Sequence, residues 1–358
     1  MIGIKDWSKI QNRYLEYWQM ENHDFPLYRL TGVKKLGVSP EEPPASLETI
    51  WMDTEYIIRR ARRAMENTIY AGVAYPALTA DLGPDIFGAV LGDDIVFSRG
   101  TSWAKHVHQG KDLSEVHLAF DENNPWWQKI QQMLRDYVAD SKGDYLVGLA
   151  DWHGTLDALV SLWGPEDVAL AVYDCPDEVK RLTGELASIF QTVLTKQHEV
   201  VRPYQEGTTH WMGLWHPGLW YNTSCDFNIL VSPDMFEEFV VPPLKQDLAF
   251  LDASIYHLDG PGAFRHLKRL LEFPDLHGIQ LVYGAGAPPA VHWLPELKQI
   301  QAAGKGIHLN CTVSELDTLL AELKPEGLYL DIGPDEGFGR PFNQEEVDAI
   351  VRKIEKKR

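Results

Sequence analysis

Short apolar runs alternate along the chain with amphipathic stretches. Gly72–Leu78, Gly143–Leu149, Thr208–Leu214, Ser254–Gly260, Gly278–Gly284, Gly306–Cys311 and Gly327–Ile332 read as strands. Helical spacing runs over residues 5–20, Trp51–Tyr70, Pro125–Tyr137, Leu156–Leu162, Pro165–Tyr173 and Pro176–Glu199. It returns over Gly262–Leu271, Trp293–Ala303, Val313–Leu323 and Asn343–Lys356. Ser232-Pro233-Asp234 opens a further helix, with proline at its first position and an acid in its first turn. Asp93–His108 reads as a β-hairpin insertion.

Strands that alternate with helices through short loops pair in parallel. Seven strands are visible, and an eighth is expected near residues 171–175 or in the Trp-rich loop that runs to Asp226. The predicted fold is α/β, a (βα)8 TIM barrel over residues 71–358. Residues 1–70 form an N-terminal helical extension packed on it, and the whole is one structural domain. An open doubly wound sheet is the alternative, but no G-x-G-x-x-G follows the first strand.

The 358 residues fit one large barrel or two domains of about 150 residues. Lys plus Arg is 33 against 52 for Asp plus Glu, a net charge of −19, which argues against nucleic acid as a partner. The cluster Arg59–Arg63 sits in a helical pattern and reads as a solvated face before it reads as an anion site. Three isolated cysteines, Cys175, Cys225 and Cys311, give no disulfide framework and fit a reducing cytoplasm. No signal-peptide core and no run of 18 apolar residues is present, so no membrane partner is expected. The Trp-rich segment makes a homodimer plausible.

Candidate chemistry collects where strands end. Asp81, Asp151, His153, His257, Asp259, Tyr283, His308, Asn310 and Asp331 all close apolar runs. His257 and Asp259 are two apart on a strand, so an imidazole and a carboxylate share one face. That suits metal ligation or acid–base work; the plainer alternative is a hydrogen bond that locks the loop. Zinc, manganese and magnesium all fit such donors. Trp215, Trp220 and Tyr221 can stack on a ring-shaped or sugar-like substrate, or pack as a lid or subunit interface. Asp226 can add a carboxylate to the same mouth. Gly284-Ala285-Gly286 reads as a rigid turn and Cys311 as a small apolar residue.

Four stretches resemble the uroporphyrinogen decarboxylase superfamily, which includes corrinoid-dependent methyltransferases. They are Asp81–Asp85 through Asp94–Phe97; Asp226 with Val231–Pro242, similar to the family's D…SPE-x-F-x-E-F-V-x-P; Tyr256–Gly260, at its H-x-C-G or H-x-D-G; and Gly327–Gly333. The resemblance spans about residues 70–340. It implies a (βα)8 barrel with its site at the carboxyl ends of the strands. In the methyltransferase branch it implies zinc, held by His-x-Cys and a later Cys, and methyl exchange with a corrinoid on a partner protein. Here Asp259 stands for the first Cys and the later one falls near Asp331. The Arg-rich MRQAGRY motif of true decarboxylases is absent from residues 1–50, which speaks against haem biosynthesis.

The leading expectation is therefore corrinoid-linked methyl transfer. His257, Asp259, Asp226 and Asp81 would be catalytic, and His257, Asp259 and Asp331 would hold zinc or another divalent metal. Asp151, His153, Trp215, Trp220, Tyr221 and Tyr283 would contact substrate. A lyase or hydrolase using carboxylate and histidine acid–base chemistry on a cyclic or sugar-like substrate is the second reading. A non-catalytic binding protein is the third.

Overall fold

The computed structural model describes residues 6–35, 44, 46–284, 286–335 and 340–356. Lys5, Ala285 and the last two residues, which the sequence reading touches, lie outside them. Seven strands make the central sheet. In spatial order they are Thr68–Gly72, Leu27–Val33, Leu328–Gly333, Gly306–Thr312, Gly278–Val282, Ala253–Asp259 and Trp220–Ser224. The first pair is antiparallel and every other pair is parallel. The predicted alternation holds from residue 253 onward, where helices Leu267–Leu270, Leu294–Ala302 and Leu316–Glu322 supply the crossovers. The eighth strand lies in the Trp-rich stretch, at Trp220–Ser224, whereas residues 171–174 end the helix Pro165–Asp174.

The sheet does not close into the expected barrel. Ala77–Thr79 and Leu146–Gly148 pair with each other, and Thr208–Thr209 pairs with Trp215–His216. Their ladders are short and stay outside the central sheet, and side chains satisfy much of the remaining backbone. The Gln205 amide accepts from Val147 N–H (2.7 Å) and donates to its carbonyl (3.1 Å). Gln197 accepts from Ala150 N–H (2.9 Å). A backbone bond from Leu149 N–H to Thr209 O (2.9 Å) links the two pairs.

Residues 6–70 are not purely helical. Trp7–Trp18 is the expected helix, but Leu27–Val33 enters the sheet between Thr68–Gly72 and Leu328–Gly333. The helix read over 51–70 is two. It breaks at Asp53, whose carboxylate caps Thr54–Asn67 by accepting from Tyr56 N–H (3.0 Å).

Apolar side chains fall into two cores. The larger lies between the sheet and its helices. The smaller gathers Tyr14, Tyr17, Leu27, Trp215, Trp220, Ile255 and Tyr329. The N-terminal helix covers this inner core from the amino ends of the strands: Trp18 Nε1 donates to Trp215 O (2.9 Å), and its ring packs on Trp220 at 5.4 Å. The opposite, carboxyl ends are left for chemistry. The hairpin Ile95–Phe97 with Ser102–Ala104 is present. No helix among the described residues is long and apolar enough to cross a membrane.

Candidate functional site

Strand Ala253–Asp259 is buried until His257 and Asp259, which are half-buried at its carboxyl end. Gly260 then turns the chain at φ +80°, a conformation that a side chain would strain. The register sets Ser224, His257, Gln280, His308 and Tyr329 in one row across five strands. Four of these five are polar, on a face where a packed barrel would be apolar. His257 Nδ1 donates to Gln280 Oε1 at 2.5 Å. That bond leaves Nε2 as the lone-pair nitrogen, facing Asp226 Oδ1 at 3.8 Å.

Asp226 opens the tight turn Asp226–Leu230 after strand Trp220–Ser224. Asp157, in the first turn of helix Thr155–Trp163, anchors that turn. Its carboxylate accepts from Asp226 N–H (2.8 Å) and Phe227 N–H (2.9 Å). Burial, then the charge of Asp226, pushes the Asp157 carboxyl up to about 7. The same two causes raise Asp259. Asp226 is thus the hub of the cluster. One ligating atom each from Asp226, His257 and Asp259 lie within 4.8 Å of one another, as do atoms of His153, Asp157 and Asp226. Asp226 Oδ1 is buried without a hydrogen-bond partner.

His153 sits between two acids. Nε2 lies 3.2 Å from Asp151 Oδ2, and Nδ1 lies 3.8 Å from Asp226 Oδ2. Burial disfavours the imidazolium, but Asp151, Asp226 and Asp157 outweigh it and push His153 up to about 10. Asp151, His153, Asp226, His257 and Gln280 therefore run as a chain of alternating proton acceptors and imidazoles across the mouth.

The structure brings His257, Asp259, Asp226, Asp151 and His153 together. Asp331 and Tyr283 are engaged elsewhere, and Asp81 lies on the Asp151 side. Asp331 is paired with Arg29 (Nη1–Oδ2 2.8 Å), so Asp226, not Asp331, stands beside His257 and Asp259 as a third donor. Asp81 accepts from Gly83 N–H (2.7 Å) and lines an opening of about 360 Å³ with Trp51, Arg99 and Tyr137, near enough to Asp151 that burial and then the Asp151 charge raise its carboxyl. Tyr283 donates to Asn310 O at 3.1 Å.

The expected stacking by Trp215, Trp220 and Tyr221 is corrected, because all three rings are buried. The two tryptophans belong to the inner core at the far end of the strands. The Tyr221 hydroxyl is spent on backbone, donating to Ala150 O (2.5 Å) and accepting from Trp152 N–H (2.8 Å). The aromatic that does reach the cluster is Trp211, edge-on to His257 at 5.5 Å. Sequence reasoning placed Trp211 among the aromatics of its stretch without distinguishing it, and missed Asp157 and Gln280. An acid in a first helical turn is ordinary, so only the strand register identifies such partners.

No protein-family model and no curated protein matches the chain. Among solved structures it is similar to a methyltransferase from Methanosarcina mazei, with a TM-score of 0.61 and 12% sequence identity. The match covers 97% of this chain and 98% of that one. At that identity the likeness is one of fold: an α/β chain with a large, mostly parallel central sheet.

Proposed function

We propose that the chain is a methyl-transferring enzyme of the uroporphyrinogen decarboxylase-like type, on a distorted (βα)8 scaffold. Its reaction centre would be a divalent metal at the carboxyl ends of the strands, and its methyl carrier a corrinoid on a partner protein. One observation carries the reading: donor atoms of Asp226, His257 and Asp259 converge within 4.8 Å, and a buried Asp226 oxygen there has no partner. The fold likeness to a methyltransferase over nearly the whole chain supports it.

The donor set is one nitrogen and two carboxylates, which suits zinc or manganese but not a thiolate-rich centre. Cys225 and Cys311 are buried, and burial pushes both thiols well up. His257, Asp226 and Asp259 would hold the ion, which when bound supplies positive charge that lowers the pKa of an acceptor. Gln280 keeps His257 Nε2 turned toward Asp226. Asp157 fixes the Asp226 turn through two backbone bonds. Trp211 covers one face of His257.

The Asp151–His153–Asp226 chain favours a second reading, a metal-independent lyase or hydrolase. The site raises both groups, Asp157 to about 7 and His153 to about 10, so each can hold a proton near neutral pH, as a general acid must.

The test is elemental mass spectrometry on protein purified without chelator or added metal, beside Asp226→Ala, His257→Ala and Asp259→Ala. About one metal per chain, lost in each folded variant, is expected. Metal-loaded protein should then demethylate methylcobalamin with a thiol acceptor. No metal in folded protein would sink the metal centre. Metal without methylcobalamin turnover would sink methyl transfer and leave the acid–base reading.

A further inference from the structure

Beside the cluster lies a cavity of about 410 Å³, within the usual range for a small-molecule site. Helix Thr54–Asn67 forms one wall through Ala61, Ala64 and Met65. Tyr75, His210 and Trp211 face it from the sheet side. His210 is only 2% exposed, yet neither ring nitrogen has a hydrogen-bond partner. Trp211 Nε1 is buried and equally unpartnered. Buried polar atoms are rarely left this way, and three of them in two residues that line one cavity point to an occupant.

His210 is held in place. Trp220 and Tyr221 pack against its ring at 4.1 and 4.5 Å between centroids. A neutral imidazole offers one donor and one acceptor, and the indole offers a donor only. Burial, then the nearby His308, keeps His210 well below the usual histidine range, consistent with that neutral form. The wall's cation, Arg29, is already neutralised by Asp331 at 2.8 Å. The remaining polar lining, Thr31, Thr68, Tyr70 and Thr79, is uncharged, so an ionic ligand would find no free counter-charge there. The cavity and the metal-ligand cluster meet at Trp211, which touches His257.

We propose that this cavity binds a small, uncharged, ring-bearing substrate. Its polar group would be amide-like, both donating and accepting, and held by His210 and Trp211. This rests on the methyl-transfer reading only for what happens to that substrate at His257; the binding itself requires neither metal nor carrier.

The test is ligand-observed saturation-transfer NMR with calorimetry on EDTA-treated protein, using benzamide, benzoate and toluene as probes. Benzamide is expected to bind. Benzoate and toluene should each bind at least about tenfold more weakly, since one brings charge and the other lacks the polar group. His210→Phe keeps a ring between Trp220 and Tyr221 but removes both nitrogens, and should weaken benzamide about tenfold or more. If that variant does not fold, Trp211→Phe, which deletes only the indole N–H, carries the test. Absence of benzamide binding, equal binding by benzoate, or unchanged affinity in a folded variant would each overturn the proposal. In the last case ordered water occupies the cavity. Because no turnover is read, failure here leaves the metal centre untouched, and failure of methyl transfer leaves this site untouched.

Discussion

The Tyr221 hydroxyl is a single atom on which the placement of Asp151 and His153 rests. It donates to Ala150 O and accepts from Trp152 N–H, so it grips the chain on both sides of Asp151. Ala150, Trp152 and Tyr221 are all buried. The strand behind them, Leu146–Gly148, is three residues long and cannot supply the bonds itself. Tyr221→Phe removes one oxygen and leaves a buried N–H and a buried carbonyl without partners. Each costs about 1–3 kcal/mol, and an oxygen-sized gap is too small to admit water. The expected loss is about 2–4 kcal/mol, allowing for partial relaxation of the strand end. Urea unfolding followed by circular dichroism and by tryptophan fluorescence would read this as a lowered midpoint at unchanged slope. The His153 resonances should shift as well, since the residue follows the loosened segment. A loss below about 0.5 kcal/mol, the scale of a surface substitution, would refute the claim that this hydroxyl replaces missing sheet bonds.

Three further outcomes are expected. Gln280→Leu removes the acceptor of His257 Nδ1–H and should weaken metal binding about 10- to 100-fold by competition titration in a folded protein, whereas an unchanged affinity would show that Gln280 does not orient the imidazole. His153 has a folded pKa of about 10, above its ordinary value of 6.5. Its stabilisation is therefore full below about pH 6.5 and lost as pH rises through about 10. Chelated wild-type protein should lose stability across that window relative to His153→Gln, and parallel stability curves would remove the ion-pair argument. Tyr14 is fully buried and donates to Val73 O or Gly213 O, each 3.1 Å away. Tyr14→Ala should cost about 3–5 kcal/mol in the inner core yet leave metal content unchanged; loss of metal at retained stability would contradict a purely structural plug.

The late strands were legible because Gly278–Val282, Gly306–Thr312 and Leu328–Gly333 are apolar runs buried on both faces. Leu27–Val33 was not. Arg29 and Thr31 interrupt it, and both face the polar mouth, so a sheet strand reads as an irregular segment. Thr68–Gly72 was hidden because the helical spacing read over Trp51–Tyr70 runs into it, the helix itself ending at Asn67. The Trp-rich stretch shows a different limit. Composition announces aromatic rings but not which end of a strand they occupy, and Trp215 and Trp220 face the amino ends while Trp211 faces the cluster.

The same limit explains which parts of the site could be read. His257 and Asp259 are two apart on one strand, so their convergence follows from the period of the strand alone. Every other link joins separate elements: Gln280 from the next strand, Asp226 from a turn, Asp157 from a helix 69 residues before that turn. The row Ser224, His257, Gln280, His308, Tyr329 exists only once the register is known. Within it, His308 Nε2 donates to Met212 O at 3.3 Å, which leaves Nδ1 bare and buried. His257 shows the opposite choice, with Nδ1 engaged and Nε2 left toward Asp226. Two histidines in one row thus present different nitrogens, and the tertiary partner, Gln280 on the next strand for His257 and the Met212 carbonyl in a loop for His308, decides which one. The chemistry of this mouth is therefore a property of strand register, and substitutions at Gln280 or Asp157 should alter it as surely as substitutions at His257.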